Sequence, residues 1–267
     1  SKNVLQATPA TAVKAAASAD AIGAALQIAA SDNASADVKT AMNNAVTAAL
    51  AGDVTAGAAG VAEAALDVVV NGQATELNSG SDLDAVATLI GAGLAGADQG
   101  SAAAKKAEAA LQVTLSTAAD KEKLLGKTLE AGASNGAAIT KIVNSGLNSG
   151  VDVAKAVKKA GAGSKSEIAQ AVADNSSVTI ADSVAILGPK SAKASSTKKL
   201  LYTLDKLETQ AGTYTYVWSA VAGATTTTVG DALLVTPTTE GNLTLTVTQN
   251  LGGVAVSTDQ LTVVIAA

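Results

Sequence analysis

Asp82 and Asp84 stand two residues apart in Ser81-Asp-Leu-Asp84, a pair of hard oxygen ligands on one short stretch of the kind that suits calcium. The same four residues form a capping box, in which a hydroxyl and an acid three positions on satisfy the free amides of a helix start, and capping is the simpler use of both carboxylates. Ser164-Lys165-Ser166-Glu167 sets hydroxyls beside an amine, the pairing of Ser-Lys nucleophilic chemistry. Neighbours at a helix start point in different directions, however, and no third group completes the set. Lys105-Lys106, Lys158-Lys159 and Lys198-Lys199 are paired cations without interleaved aromatics, which reads as solvated faces or subunit salt bridges. Asn33-Ala-Ser35, Asn175-Ser-Ser177 and Asn242-Leu-Thr244 match the N-glycosylation sequon, a match that a Ser/Thr-rich chain produces freely.

The absences narrow the chemistry further. The 267 residues include no Cys, His, Phe or Arg. An imidazole base, a thiolate nucleophile, a disulfide framework and the usual zinc site are therefore excluded, as is a bidentate guanidinium fork for phosphate. Asp, Glu, Lys, Ser, Thr and Tyr could still serve a glycosidase, which needs two carboxylates converging in a cleft. Nothing marks such a pair, and the chain reads as a non-enzyme without cofactors. A net charge of -5 argues against nucleic acid as a partner, because phosphate neutralisation needs a basic face. The best candidate for a bilayer span, Ala85 to Ala97, offers only thirteen uncharged residues between Asp84 and Asp98, against about twenty required. A start at Ser1 suggests a removed export signal, and the acidic, Ala- and Thr-rich composition suits a protein exported in quantity.

The elements that position these residues fall into two grammars. From residue 1 to 174 the text is Ala, Gly, Asn and Ser with apolar residues at helical intervals; from 175 to 267 it is Thr, Val and Leu in alternation. The first part predicts an all-α bundle or short helical-repeat array, with longer helices at about 10 to 30, 36 to 51 and 54 to 70. Capping boxes at Ser81, at Ser149-Gly-Val-Asp152 and at Ser164 place helix starts near 82, 150 and 165. Five pentapeptides then recur at offsets of 14, 14, 14 and 15: Leu111 to Leu115, Leu125 to Leu129, Ile139 to Val143, Val153 to Val157 and Ile168 to Val172. Each puts two apolar residues on one helical face, with Lys127, Lys141, Lys155 and Gln170 at the third position on the other face. Gly132, Gly146 and Gly161 follow as C-terminal punctuation. Two successive helices would make an antiparallel hairpin of about 28 residues, stacked through small residues. Ala-rich composition alone generates similar spacings.

In the second part, strands are predicted at Val178 to Leu187, Lys199 to Asp205, Thr213 to Val221, Thr225 to Val229, Ala232 to Thr236, Leu243 to Gln249 and Gln260 to Ile265, with an extra piece at Val254 to Val256. Tyr214, Tyr216 and Trp218 are three of the four aromatic residues of the chain and alternate along one strand. They are expected to fill a sandwich core that Ala cannot span, with the Trp on a central strand and Tyr202 on an adjoining one. Thr225 to Thr228 is edge material; an array able to bind ice or glycan would have to repeat across several strands, and in the sequence it does not.

The Tyr-Val-Trp strand, the Gly241-Asn242 turn into Leu243-Thr-Leu-Thr-Val-Thr248 and the closing Thr262-Val-Val-Ile265 resemble the immunoglobulin-like and PKD-type domains of prokaryotic surface proteins. The resemblance covers residues 178 to 267. Trp218-Ser-Ala-Val stands where PKD domains continue W-D-F-G-D-G, so the wider Ig-like class is the nearer one. It implies a stalk, adhesion or assembly module. The expectation is an exported structural subunit that self-assembles into a filament, sheath or surface layer, with itself as main partner and surface glycans as a further partner class. The alternatives are an adhesin or glycan-binding module, or a virion structural protein. The expected assembly surface comprises Lys141, Lys155 and Gln170 on the repeat helices and Thr225, Thr227 and Val229 on a strand edge.

Overall fold

The structure, a computed structural model, describes residues 9–51, 57–69, 76–161, 165–195, 197–219 and 221–267. Helices lie N-terminal and strands C-terminal, in two compact units that divide at Thr179 and Ile180. The described helices are α1 (Pro9–Ala30), α2 (Ala36–Ala51), α3 (Gly57–Val68), α4 (Gly80–Gly96), α5 (Ala102–Thr117), α6 (Lys121–Gly132), α7 (Gly136–Asn148), α8 (Val153–Lys159) and α9 (Lys165–Asn175). Of the third predicted helix, residues 54–56 and 70 lie outside the described residues, as does Ser164.

The five pentapeptides fall one each on α5 to α9, and all ten of their apolar end residues, from Leu111 to Val172, are buried. Their partners differ from the predicted hairpins. α4 packs chiefly on α6, which also packs on α8; α5 packs chiefly on α3 and also on α7, and α7 chiefly on α9, so each helix from α4 to α9 finds its main neighbour two elements away. Ion pairs follow the same step: Lys106 to Asp67 at 3.0 Å, Lys123 to Asp84 at 3.0 Å, Lys141 to Glu108 at 2.6 Å and Lys159 to Asp120 at 2.8 Å. Lys106 and Lys159 thus make intrachain bridges, where the sequence suggested free or intersubunit charges.

Missing side chains make the alternate contacts possible. A Cβ on Gly91 of α4 would lie 2.5 Å from Ala131 Cβ and 2.7 Å from the Thr128 carbonyl oxygen of α6. One on Gly126 of α6 would meet the backbone of Ala156 and Ala160 at α8. Gly132 closes α6 as expected and is buried there, making room for Ile142, whereas Gly146 is a buried residue inside α7 that makes room for Leu125; the left-handed glycine of this region is Gly150, at φ +71. The capping boxes are also displaced. Asp152 caps α8 by accepting from Lys155 N at 3.0 Å, while Ser149 ends α7; Ser81 and Asp82 lie inside the first turn of α4. Ser101, Asp120 and Asn135 cap α5, α6 and α7, each accepting amide hydrogens that a helix start leaves free.

The C-terminal unit holds β1 (Ser183–Leu187), β2 (Ser191–Lys193), β3 (Leu200–Leu207), β4 (Tyr214–Trp218), β5 (Ala224–Val229), β6 (Ala232–Pro237), β7 (Gly241–Leu251) and β8 (Val254–Ala266). They form two four-stranded sheets, ordered β1-β3-β6-β5 and β2-β8-β7-β4, in which β2 and β8 are parallel and all other pairs antiparallel. Val184, Ile186, Tyr202, Leu233 and Val235 of the first sheet share one core with Leu243, Leu245, Val247, Val263 and Ile265 of the second. Four sequence expectations change here. The first strand shrinks to Ser183–Leu187, β2 was missed, and the two last pieces are one strand paired in continuous register with β7 apart from a bulge at Gln249/Asn250. β4 is an edge strand, so Trp218 is not central.

Candidate functional site

The six residues expected to build an assembly surface separate into two groups. Lys141 is half-buried and spends its ammonium on Glu108 and on the Gln99 carbonyl oxygen at 3.3 Å, tying α7 to α5 and to the loop before it. Lys155 is exposed and pairs with Asp152 of its own helix at 3.4 Å, and Gln170 donates to Asp174 Oδ1 at 2.8 Å. These three side chains serve the interior of the helical unit or their own helices, and the structure brings them into no common cluster.

Thr225, Thr227 and Val229 do converge. Antiparallel pairing sets them opposite Thr236, Leu234 and Ala232 of β6, and all six point away from the core because Leu233 and Val235 point into it. Leu201 of β3 lies opposite Leu234 in the same row, and Leu187 at the end of β1 lies opposite Thr203. Leu187, Leu201 and Val229 are 50%, 53% and 57% exposed. Beside β5 the outer face of this sheet therefore carries Thr, Leu and Val, and farther across it Asp205 of β3, opposite Ala185, adds a charge.

β5 is also an open edge of the unit, since it pairs with β6 and with no other strand. Natural sheets blunt such edges with charge, proline, bulges, shortness or a cover. β2 is three residues long. β1 is covered from β8: Ser257 Oγ accepts from Val184 N at 3.2 Å and Asp259 Oδ2 from Ile186 N at 2.8 Å. β4 is tethered to the other sheet through its rings, described next. Ala224–Val229 has none of these devices, and five of its six residues are exposed.

The three rings of β4 alternate as predicted, but each is half-buried, with its polar tip engaged at the rim rather than sunk in the core. Tyr202 alone is fully buried, donating to the Pro189 carbonyl at 3.1 Å. Trp218 donates to the Asp231 carbonyl at 3.0 Å and Tyr216 to Glu208 Oε1 at 2.6 Å. The Lys206 ammonium lies 4.3 Å above the Tyr216 ring and is paired with Asp231. Burial and the adjacent Glu208 carboxylate hold the Tyr216 hydroxyl well above the ordinary tyrosine range, so it remains a donor. Asp182 fastens the loop between β3 and β4 by accepting from Thr209 N and Oγ1 at 2.7 Å each, from Tyr214 at 3.0 Å and from Gln210 at 3.1 Å. Burial by itself makes the Asp182 carboxyl harder to ionise, but these donors outweigh it and leave its pKa below the usual carboxylate range.

The outer face of the second sheet carries a separate set of threonines, distinct from Thr225 to Thr228 of β5. Thr244, Thr246 and Thr248 of β7 lie opposite Thr262, Gln260 and Thr258 of β8, and Val217 of β4 lies opposite Thr248. This set spans two strands, a fact that only the pairing register reveals.

In the helical unit, Asp82 is buried and accepts from Ser31 Oγ at 2.7 Å and Asn33 Nδ2 at 2.9 Å, locking the α1–α2 turn to α4. Asp84 pairs with Lys123. The two carboxylates are held by different partners, and no group of three or more acidic side chains is placed to hold a metal among the described residues. A groove of about 450 Å³ between α1, α4 and α6 is lined by Asp20, Gln27, Asp84, Thr88, Lys127 and Glu130, where the Lys127–Glu130 pair at 3.0 Å occupies one wall. No described helix is long and apolar enough to cross a membrane. Comparison with protein-family models, with curated proteins and with solved structures finds no match to the chain.

Proposed function

We propose that the chain is an exported structural subunit that self-assembles into an extracellular filament, sheath or surface layer, and is not an enzyme. One observation carries the reading: β5 is an uncharged, uncovered edge strand bordering an exposed Thr/Leu/Val face, in a unit whose β1 edge is covered by Ser257 and Asp259. An open edge offers unpaired backbone donors and acceptors to a strand of the next subunit, and the adjoining face supplies apolar area to bury with it. The order of strands supports an Ig-like reading of this unit. The first, third, sixth and fifth strands share one sheet and the fourth, seventh and eighth the other, as A-B-E-D and C-F-G do in that class, with Trp218 on the strand corresponding to C.

Electron microscopy over a concentration series tests the reading. Wild-type chain is expected to give polymers or sheets of one repeat distance, and Thr227→Lys to abolish them with unchanged folding, because a charge on a pairing edge repels its symmetry mate. Monodisperse wild-type monomers at every concentration overturn it. The threonine array on β7 and β8 favours a second reading, an adhesin or glycan-binding module. That reading predicts retention of the monomer on a neutral polysaccharide matrix, lost in Thr246→Lys.

A further inference from the structure

We infer that Asn242 is the acceptor for an N-linked glycan and that the other two sequons of the chain are not, an inference that rests on reading the chain as exported. Sequence alone makes Asn33-Ala-Ser35, Asn175-Ser-Ser177 and Asn242-Leu-Thr244 equivalent. The structure separates them by what each amide nitrogen is doing. Asn33 Nδ2 donates at 2.9 Å to Asp82, a residue only 5% exposed, so a sugar on that nitrogen would crowd the contact that ties the α1–α2 turn to α4. Asn175 Nδ2 donates to the Ala171 carbonyl at 2.9 Å and lies over Gly136, where even an added Cβ would come within 3.2 Å of it. A glycan at either position displaces an existing contact of the helical unit.

Asn242 is exposed and its side chain makes no hydrogen bond to the described residues. It alternates with buried Leu243, so its amide and the hydroxyl of exposed Thr244 leave the same outer face of β7. Both groups of the sequon are therefore presented together. The ladder to β8 runs through backbone, with Asn242 opposite Val264, so a substituent on Nδ2 stands in solvent without disturbing the pairing. Gly241, at φ +120, bends the chain into the strand from the turn before it and leaves the approach to Nδ2 open, with nothing near the position a side chain would take there.

The modification joins Asn242 Nδ2 to the anomeric carbon of an oligosaccharide carried on a lipid diphosphate. The bond from that carbon to the phosphate oxygen breaks, the lipid diphosphate leaves with the electron pair, and the amide gives one proton to a base of the transferase. A glycan so placed would shield the end of the threonine face of β7 and β8 while leaving β5, on the other sheet, uncovered.

The test secretes the full chain behind an added, cleavable export signal from a host that N-glycosylates a control acceptor, followed by peptide mass mapping. Trypsin separates the sequons, because Asn33 falls in residues 15–39, Asn175 in 166–190 and Asn242 in 207–267. The expected result is a glycan mass shift on the last peptide alone, lost in Asn242→Gln and Thr244→Val and kept in Thr244→Ser. A secreted chain with no added mass, or with mass on either of the other peptides, overturns the inference. Forced secretion makes this outcome independent of whether the chain is exported by its own cells, which is read separately from where the untagged chain accumulates.

Discussion

Replacing Gly91 by Ala should destabilise the helical unit, although Ala is the better helix former. The new Cβ would start 2.5 Å from Ala131 Cβ, 2.7 Å from the Thr128 carbonyl oxygen and 3.1 Å from the Ala131 carbonyl carbon. None of these atoms can rotate away, so α4 and α6 must part by about 1 Å to restore ordinary contact. α4 also packs on α1, α3 and α5, which makes that movement costly on several sides. Overpacking of this kind costs about 3 kcal/mol at the upper end of its usual range, and roughly 1 kcal/mol returns as helix propensity, for a net loss of about 2 kcal/mol. Gly23 is the control: it lies inside α1 with nothing within 4 Å of its added Cβ, so Gly23→Ala should gain about 0.8 kcal/mol. Urea unfolding followed by circular dichroism at 222 nm reads the helices, and the single tryptophan, Trp218, reports the other unit by fluorescence. At a typical m-value near 2 kcal/mol/M, Gly91→Ala should lower the helical midpoint by about 1 M and leave the fluorescence transition in place. A Gly91→Ala midpoint equal to or above wild type would refute the claim that missing side chains set the α4–α6 approach.

The C-terminal unit should lose stability as pH falls below about 4. Asp182 ionises below the ordinary aspartate value of 3.8, so the stabilisation it gives is complete above that value and disappears as pH drops through the folded-state value. Asp182→Asn should flatten this dependence, cost roughly 1 kcal/mol at pH 6 in fluorescence-detected unfolding, and converge with wild type in acid. In the helical unit, Lys141→Ala should cost about 1 kcal/mol, because it removes both the Glu108 pair and the donor to Gln99, whereas Lys155→Ala should stay within about 0.5 kcal/mol. Thermal unfolding of the two variants side by side checks the contrast, and equal losses would contradict it.

Local rules carried much of the structure from the sequence. Apolar spacing at i and i+4 depends only on helix geometry, and all ten repeat positions, from Leu111 to Val172, are buried. Strand alternation likewise put Thr225, Thr227 and Val229 on one face before any partner strand was known. What the sequence left open depends on groups distant along the chain. Which helix meets which was decided by where Gly91 and Gly126 allow backbones to approach, so alternate helices pack where hairpins were expected. Gly146 looked like a helix end because a glycine reads the same in a turn and in a tight contact. Asp82 looked like a cap because its partners, Ser31 and Asn33, lie 51 and 49 residues away. The threonines of β7 and β8 became an array only once register set them opposite one another, and β5 became an open edge only once β8 covered β1. Periodicity is a property of a segment and is written in it; pairing, register and exposure are properties of two segments together, and the folded chain alone assigns them.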